Sequence, residues 1–178
     1  MNGYKQAKAY PQAIETANKV LEYVEVEKER SLFEDIAKLY SAAKDNKKSI
    51  EYYKKYLSLL KKLGKSDAEI GKVLSETATE YERQKLDDQA LGFWKDFEGV
   101  FRPSSEKDTA ALSLYGNLRA FALYHRRNKV TEAGKELDEA VDKSIPILGD
   151  EHMYTKTLRK ILTAYKLGGG LEIESLTL

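Results

Sequence analysis

Residues with the chemistry to catalyse a reaction are sparse in this chain of 178 residues. It contains no cysteine and two histidines, His125 and His152. Neither histidine belongs to an HExxH pattern, and without cysteine a zinc site would also need carboxylates. We therefore expect both histidines to be surface or groove side chains, and the sequence predicts no metal site.

Two short segments carry weak signals for phosphate or acid–base chemistry. Residues 64–66 read Gly-Lys-Ser, like the end of a phosphate-binding loop, but the residue five positions before Gly64 is Leu59 and not glycine. Asp87 and Asp88 fall at a predicted turn, where carboxylates cap helices. A turn between helices is the better interpretation of each segment. The sequence thus predicts no catalytic residue and no cofactor, and a protein that is not an enzyme.

Composition limits the class of protein further. Lys and Arg number 30 and Asp and Glu 29, so the net charge is +1, which argues against bulk binding of nucleic acid. Hydrophobic residues make up 42% of the chain, enough for a folded core. No apolar run approaches 18 residues, and the first residues lack a signal-peptide pattern. We expect a soluble, cytoplasmic (intracellular) protein with neither nucleic-acid nor membrane partners.

A helix-turn-helix hairpin is predicted between residues 36 and 60. Residues 36–40 have apolar side chains at helical spacing, Asp45 and Asn46 favour a turn, and residues 50–60 return to helical spacing. The chain has few helix-breaking residues and many Lys, Glu, Ala and Leu residues, a composition that favours helices throughout. The three prolines, Pro11, Pro103 and Pro146, are expected at turns.

The hairpin pattern recurs along the chain. Four times a tyrosine precedes a small residue by nine positions: Tyr4 and Ala13, Tyr40 and Ser49, Tyr81 and Ala90, Tyr124 and Ala133. Successive tyrosines, ending with Tyr165, are 36, 41, 43 and 41 positions apart. A small residue lets two crossing helices approach, while a large aromatic fills the space beside it. Stacked hairpins then share one continuous core.

Each small residue is followed by a second apolar helix, and two of these helices are rich in aromatic residues. Their aromatic side chains are Tyr52, Tyr53, Tyr56, Phe93, Trp94 and Phe97. We expect them to pack in the core because most lie at core spacing. Tyr52 and Phe93 have a different register, so a ligand-contacting role is kept open for these two.

Residues 49–57, Ser-Ile-Glu-Tyr-Tyr-Lys-Lys-Tyr-Leu, resemble the second helix of a tetratricopeptide repeat (TPR), as do residues 13–21. Ile36, Ala37 and Tyr40 resemble the first helix of that repeat. The period exceeds the usual 34 residues, and residues 147–152 resemble the loop of the longer, kinesin-light-chain-like repeats of about 42 residues. The paired asparagines of that subgroup are absent, so its cargo specificity is not implied.

The resemblance implies an all-α fold, a right-handed superhelical stack of helix-turn-helix repeats (an α-solenoid). Residues 1–167 would form about four repeats and a final helix. The first repeat would be truncated, because Met1 falls inside its first helix. The chain would then be an excerpt of a longer protein. Residues 168–178 form a glycine-rich joint followed by an acidic and apolar tail.

First helices line the concave groove of such a stack, and their register predicts which side chains point into it. The candidate partner-binding residues are Lys38, Lys72, Arg83, Tyr115, Arg119, His125, Arg126, Lys156, Arg159, Lys160 and Lys166. Beside them the register places Glu34, Ser41, Ala42, Ser75, Glu76, Thr79, Glu82, Leu118, Ala122 and Thr163 in the groove. The groove residues of the fourth repeat and the final helix include six cations and no acid, a pattern that favours carboxylates or phosphates.

The sequence therefore predicts a protein-interaction scaffold or adaptor whose groove binds a peptide or protein segment, and the cations favour an acidic one. The alternative is a structural or self-association module, joined through the array ends or the tail. A solvated charged face remains the simplest interpretation of the cations. The tail carries Glu172 and Glu174 among apolar residues, so we expect it to lie in a groove, its own or, more easily, that of a neighbouring molecule. The alternative is a disordered end or the start of a further repeat helix.

Overall fold

The computed structural model describes residues 2–21, 26–101 and 107–168. These residues form eight α-helices and no strand, which confirms the predicted all-α class. The helices are α1 (Asn2–Leu21), α2 (Val26–Ala42), α3 (Asn46–Lys62), α4 (Asp67–Arg83), α5 (Asp87–Phe101), α6 (Lys107–Arg126), α7 (Val130–Leu148) and α8 (Met153–Lys166). The predicted joint and tail, apart from Gly168, lie outside the described residues.

The helices divide between two compact units, Met1–Ala90 and Leu91–Leu178. In the first unit α1 packs on α2, α2 on α3, and α3 on α4. In the second unit α6 packs on α7 and α7 on α8. Within each unit these consecutive helices therefore pack as neighbours, as expected for stacked hairpins.

The same turn follows three of the repeat tyrosines. In each case the residue four positions after the tyrosine has a left-handed backbone, and the next N–H donates to the tyrosine carbonyl. The three pairs of a tyrosine and its left-handed residue are Tyr40 with Lys44, Tyr81 with Lys85, and Tyr124 with Asn128. This geometry ends a helix by satisfying its last carbonyls. The repeat found in the sequence is therefore present in the backbone.

The small residues that follow these turns are fully buried, as predicted. Ser49, Ala90 and Ala133 are each 0% exposed. The core of the first unit includes a cluster of Ile14, Ile36 and Tyr40. That of the second unit includes Leu118, Phe121, Ala133, Leu137, Ala140, Val141 and Leu158.

The aromatic side chains of the second helices are also core residues for the most part. Tyr53, Tyr56, Trp94 and Phe97 are at most 6% exposed. Tyr52 is half-buried; its hydroxyl donates to Asn18 Oδ1 at 2.6 Å and so joins α3 to α1. Tyr52, for which the sequence left a ligand-contacting role open, thus has a structural role in the first unit.

The prediction of a hairpin in repeat one is wrong. α1 runs unbroken from Asn2 to Leu21 with Pro11 inside it, and Ala13 is exposed. The residues between Tyr4 and Ala13 include none of the Gly, Asn or Asp that favour a turn. Pro11 is exposed, so the carbonyl that it leaves unbonded can be hydrated, and the proline alone does not end the helix.

Pro146 is likewise inside a helix and not at a turn. It lies on an exposed face in the last turn of α7, where one missing backbone hydrogen bond is easily hydrated. The helix ends instead at Gly149, whose φ is 100°. Pro103 lies outside the described residues.

Candidate protein-binding face

The first unit contributes the predicted groove residues of α2 and α4, which contact each other through ion pairs. The Glu34 carboxylate of α2 accepts hydrogen bonds from Lys38 at 2.5 Å and from Lys72 of α4 at 2.6 Å. Burial alone would raise the pKa of Glu34, but these two ammonium groups lower it to about 2. Lys38 and Lys72 thus share one carboxylate of their own chain.

A second polar cluster joins the same two helices near their C-terminal ends. The hydroxyl of Ser41 donates to the Glu80 carboxylate at 2.5 Å, and Arg83 donates to the Ser41 oxygen at 2.7 Å and to the Glu80 carboxylate at 2.5 Å. Glu80 is only 3% exposed. Arg83 therefore neutralises a buried carboxylate, a role that the groove prediction did not anticipate.

Between these clusters lies Glu76 of α4. Burial raises the pKa of Glu76, against the opposing charges of Lys38 and Lys72. Burial also raises the pKa of Tyr53, which is hydrogen-bonded to Glu76. The predicted cations of the first unit are thus surrounded by carboxylates, and this face has no excess of positive charge.

In the second unit, Arg119 of α6 lies against aromatic rings. Its guanidinium carbon is 4.9 Å from the Trp94 ring centroid and 5.9 Å from that of Tyr115. Tyr115 itself meets Trp94 edge-on at 5.5 Å. These contacts hold the half-buried guanidinium against α5 while keeping its charge.

An aromatic contact brings α6 and α8 together. Tyr165 of α8 packs edge-on against Phe121 at 5.3 Å and against His125 at 5.7 Å. His125 is stacked on Phe121, so it is half-buried in this cluster. Leu118, predicted to point into the groove, is 4% exposed and belongs to the core. That prediction is wrong because a leucine gains more from burial than from lining a polar face.

Three predicted cations of α8 pair with acids that the groove register did not include. Lys156 pairs with Glu151 at 2.6 Å, Lys166 with Asp138 of α7 at 2.7 Å, and Arg159 with Asp150. The predicted groove residues at this end include no acid, but these three cations pair with acids from outside that register. The acids come from α7 and from the loop before α8, which a helix register cannot place.

The remaining cations of this end are Arg126 and Lys160, both exposed. Within the described residues Lys160 takes part in no ion pair. It borders a shallow cavity of about 410 Å³ with Arg159, Thr163, Ala164 and Leu167. From Thr109 to Arg126 and throughout α8 neither helix carries an acidic residue. The charged residues that α6 and α8 themselves contribute to their face are therefore all basic, whereas α2 and α4 contribute both acids and cations to theirs.

A polar network inside the second unit was not predicted. Lys143 of α7 donates to Glu98 of α5 at 2.8 Å and to Asn117 of α6 at 2.9 Å. Asn117 in turn donates to Glu136 at 3.0 Å, which also accepts from Lys95 at 2.6 Å. Glu98 and Glu136 occupy buried helix positions, but no sequence pattern shows that their partners lie 19 to 45 residues away.

The first unit also has a cavity of about 1000 Å³ between α1 and the α2–α3 turn. Tyr10, Pro11, Ile14 and Tyr40 give it an apolar wall. Its other residues include both acids and lysines, so charge does not favour one class of ligand.

The described residues include no cluster of metal ligands and no membrane-spanning helix. In the described part of the chain no three His, Asp or Glu side chains converge where they could share a metal ion. His152 instead caps α8, with Nδ1 accepting from the Tyr154 N–H at 3.2 Å. No helix in the same residues is both long and apolar enough to cross a membrane.

The fold is an all-α stack of TPR-like helical repeats, as comparison with solved structures shows. A putative kinesin light chain of Podosopora anserina with nearly identical TPR-like repeats superposes with a TM-score of 0.61 at 14% identity, covering 94% of this chain and 92% of that one. A point variant of the same protein gives a TM-score of 0.61 at 14% identity, over 94% and 91%. The predicted likeness to long-period TPR structures is thus confirmed for the fold.

BtubC (BKLC) from P. vanneervenii is also similar, with a TM-score of 0.59 at 14% identity. The match covers 93% of this chain, which spans 66% of the length of BtubC. No protein-family model and no curated protein matches the sequence.

Proposed function

We propose that this protein is an interaction scaffold that binds an acidic segment of another protein on the face formed by α6 and α8. The observation that supports this most is the contrast between the units. In the first unit Lys38, Lys72 and Arg83 pair with the carboxylates of Glu34 and Glu80. In the second unit Asp138, Asp150 and Glu151 pair with Lys166, Arg159 and Lys156, but Lys160 takes part in no ion pair within the described residues. A carboxylate-bearing segment would gain more attraction at the second face.

Three kinds of cation have distinct roles in this proposal. Arg119 is held by Trp94 and Tyr115, so less side-chain entropy is lost when it binds a carboxylate. Arg126 and Lys160 are exposed and attract the segment by charge. Arg159 already pairs with Asp150, so an incoming acid must compete with that residue.

Charge reversal tests the proposal, with a labelled ten-residue peptide of alternating glutamate and serine as the probe. We expect Arg126→Glu with Lys160→Glu to weaken probe binding about tenfold, because exposed attractions of ~0.2–1 kcal/mol each become repulsions. Both residues are exposed, so the helical circular dichroism should not change. Fluorescence anisotropy measures the affinity.

The matched control is Lys61→Glu with Lys62→Glu, which changes the net charge equally on exposed positions of α3. This variant should bind the probe nearly as well as the wild type. Equal weakening by both double variants would show general attraction between the probe and the protein, and would refute a specific face.

A self-association module is the second candidate function. It is favoured by the two most exposed large hydrophobic residues of the described chain, Met153 and Leu167 of the α8 segment, which are 80% and 82% exposed. Sedimentation at several concentrations tests it. A strict monomer up to high concentration would remove this candidate, whereas a dimer lost on Leu167→Glu would support it.

A further inference from the structure

The exposed side of α3 carries a stripe of lysines, a surface separate from the faces described above. Adjacent lysines recur every seven residues, and all six are exposed: Lys47 and Lys48, Lys54 and Lys55, and Lys61 and Lys62. The opposite side of the helix is buried against α2 and α4. Glu51 is the one acid in the sequence of α3, so six lysines and one glutamate give this helix a charge of +5, in a chain whose net charge is +1.

Aromatic rings hold three lysines of the stripe without neutralising them. The distances from ammonium nitrogen to ring centroid are 5.2 Å for Lys48 and Tyr40, 5.3 Å for Lys54 and Tyr81, and 4.5 Å for Lys55 and Tyr52. A ring face attracts a cation and restricts its position, but the positive charge remains. These lysines are therefore partly ordered before any partner binds.

Carboxylates of the same chain compensate only part of the stripe. Lys48 pairs with Asp45 at 3.8 Å and Lys55 with Glu51 at 2.7 Å. Both carboxylates are exposed, so these ion pairs are weak and can be exchanged for others. Within the described residues no ion pair includes Lys47, Lys61 or Lys62. The lysine stripe thus keeps most of its charge, whereas the cations of the α2–α4 face pair with carboxylates.

The seven-residue recurrence sets the geometry of the stripe. Seven residues of a helix rise about 10.5 Å, and their direction drifts by only about 20°. The lysine pairs therefore stand in a nearly straight row. A second helix with acids every seven residues has the same rise and drift, so its carboxylates can face successive lysine pairs. An extended segment advances about 3.3 Å per residue, so residues three apart match the distance but point to opposite sides.

Phosphate-rich partners do not require this regular row. Duplex DNA carries a charge about every 1.7 Å along its axis, and an anionic bilayer spreads its charge over a plane. The sequence of α3 contains no arginine, the residue whose planar fork suits phosphate best. The spacing and the residue type therefore favour a row of carboxylates on a protein helix.

We propose that the lysine stripe of α3 binds an α-helix of a partner protein that carries acidic residues at seven-residue intervals on one side. Each acid lies between the two lysines of a pair, and Glu51 and Ser58 lie between successive pairs. This interaction uses a different surface and a different kind of segment from the face of α6 and α8, so it does not depend on the proposed function.

Two synthetic peptides of three heptads test the spacing. Both contain only alanine, glutamine and the same number of glutamates, and circular dichroism checks that their helicity is equal. The patterned peptide has a pair of glutamates at the same position of every heptad, and the scattered peptide distributes them around the helix. We expect the patterned peptide to bind about fivefold more tightly at low salt, because about half of the scattered charges point away from the stripe. Equal affinities in fluorescence anisotropy would overturn the helical match.

Substitutions in the stripe test its position. Lys47→Gln, Lys54→Gln and Lys61→Gln together should weaken binding of the patterned peptide about tenfold, because three exposed attractions are lost. All three side chains are exposed, so the helical circular dichroism should not change. This triple variant should bind the glutamate–serine probe nearly as well as the wild type, and an equal loss for both peptides would overturn a separate site.

The matched control removes the same charge elsewhere. Lys19→Gln, Lys85→Gln and Lys135→Gln change exposed residues outside α3 and should leave the affinity for the patterned peptide nearly unchanged. Equal weakening by both triple variants would show attraction to the whole protein and overturn the stripe as a site.

The other classes of partner are tested with the same variants. A short DNA duplex and vesicles of phosphatidylcholine with phosphatidylserine are titrated against the wild type and the stripe variant. The proposal predicts that the stripe substitutions weaken binding of the patterned peptide by the largest factor. A larger loss for the duplex or for the vesicles would assign the stripe to phosphates and overturn the proposal.

Discussion

The contact between α5 and α6 provides a sharp test of the packing in the second unit. A Cβ atom added at Gly116 would lie 2.8 Å from Glu98 Cβ and 3.2 Å from both Glu98 Cα and N. Backbone atoms cannot rotate away, so Gly116→Ala must push the helices apart. Glu98, 2% exposed, is also held by Lys143, and the same shift would disturb that ion pair.

Two opposing terms set the size of the effect. Alanine in place of glycine in a helix stabilises by about 1 kcal/mol. Overpacking costs about 1–3 kcal/mol, and we expect the upper end because the contact involves backbone atoms. The net prediction is a loss of about 1–2 kcal/mol of unfolding free energy, or roughly 2–8 °C in Tm for a chain of this size.

The matched control for this substitution is Gly92→Ala in α5. An added Cβ meets nothing within 4 Å there, so the helix propensity should raise stability. Urea unfolding followed by circular dichroism measures both variants. If Gly116→Ala proves as stable as Gly92→Ala, the close approach of the two helices is wrong.

The remaining predictions concern the first unit. The pKa of Glu34 is lowered from 4.5 to about 2, so the ionised carboxylate stabilises the fold fully above pH 4.5, and this stabilisation is lost as the pH falls toward 2. Glu34→Gln should therefore flatten the fall of Tm between pH 4.5 and 2. An unchanged profile of Tm against pH would refute the shared ion pair. Burial raises the pKa of Glu76, so the ionised form of its carboxyl group is disfavoured in the folded protein. Glu76→Gln should therefore raise Tm at pH 7 but not near pH 3. A lower Tm of this variant at pH 7 would contradict the prediction. Tyr52→Phe removes the hydrogen bond to Asn18 and should cost about 1 kcal/mol in urea unfolding, with a neutral result arguing against the α1–α3 contact.

Much of the fold could be predicted because local signals repeat. The turns after Tyr40, Tyr81 and Tyr124 recur with the same backbone geometry, and their small partners are buried. Prediction failed for repeat one, where Tyr4 and Ala13 keep the spacing without a turn between them. Residue spacing is a necessary condition for the hairpin, but turn formers decide whether the helix breaks.

The candidate site was less accessible to sequence reasoning. A helix register gives the face of a side chain but not the neighbouring element that reaches it. Glu34 of α2 pairs with Lys72, and Asp138 of α7 pairs with Lys166, over separations of 38 and 28 residues. Such partners depend on how helices pack, so the charge of a face cannot be obtained from one helix at a time.

Chemical-shift mapping with the glutamate–serine probe tests the central claim most directly. The amides of ¹⁵N-labelled protein are followed while the probe is added at low salt, where exposed charges are least screened. We predict the largest shifts in residues 119–126 of α6 and 159–164 of α8, with little change in residues 34–41 of α2 and 72–83 of α4. Larger shifts in α2 and α4, or the absence of shifts in α6 and α8, would contradict an acidic-segment-binding face in the second unit.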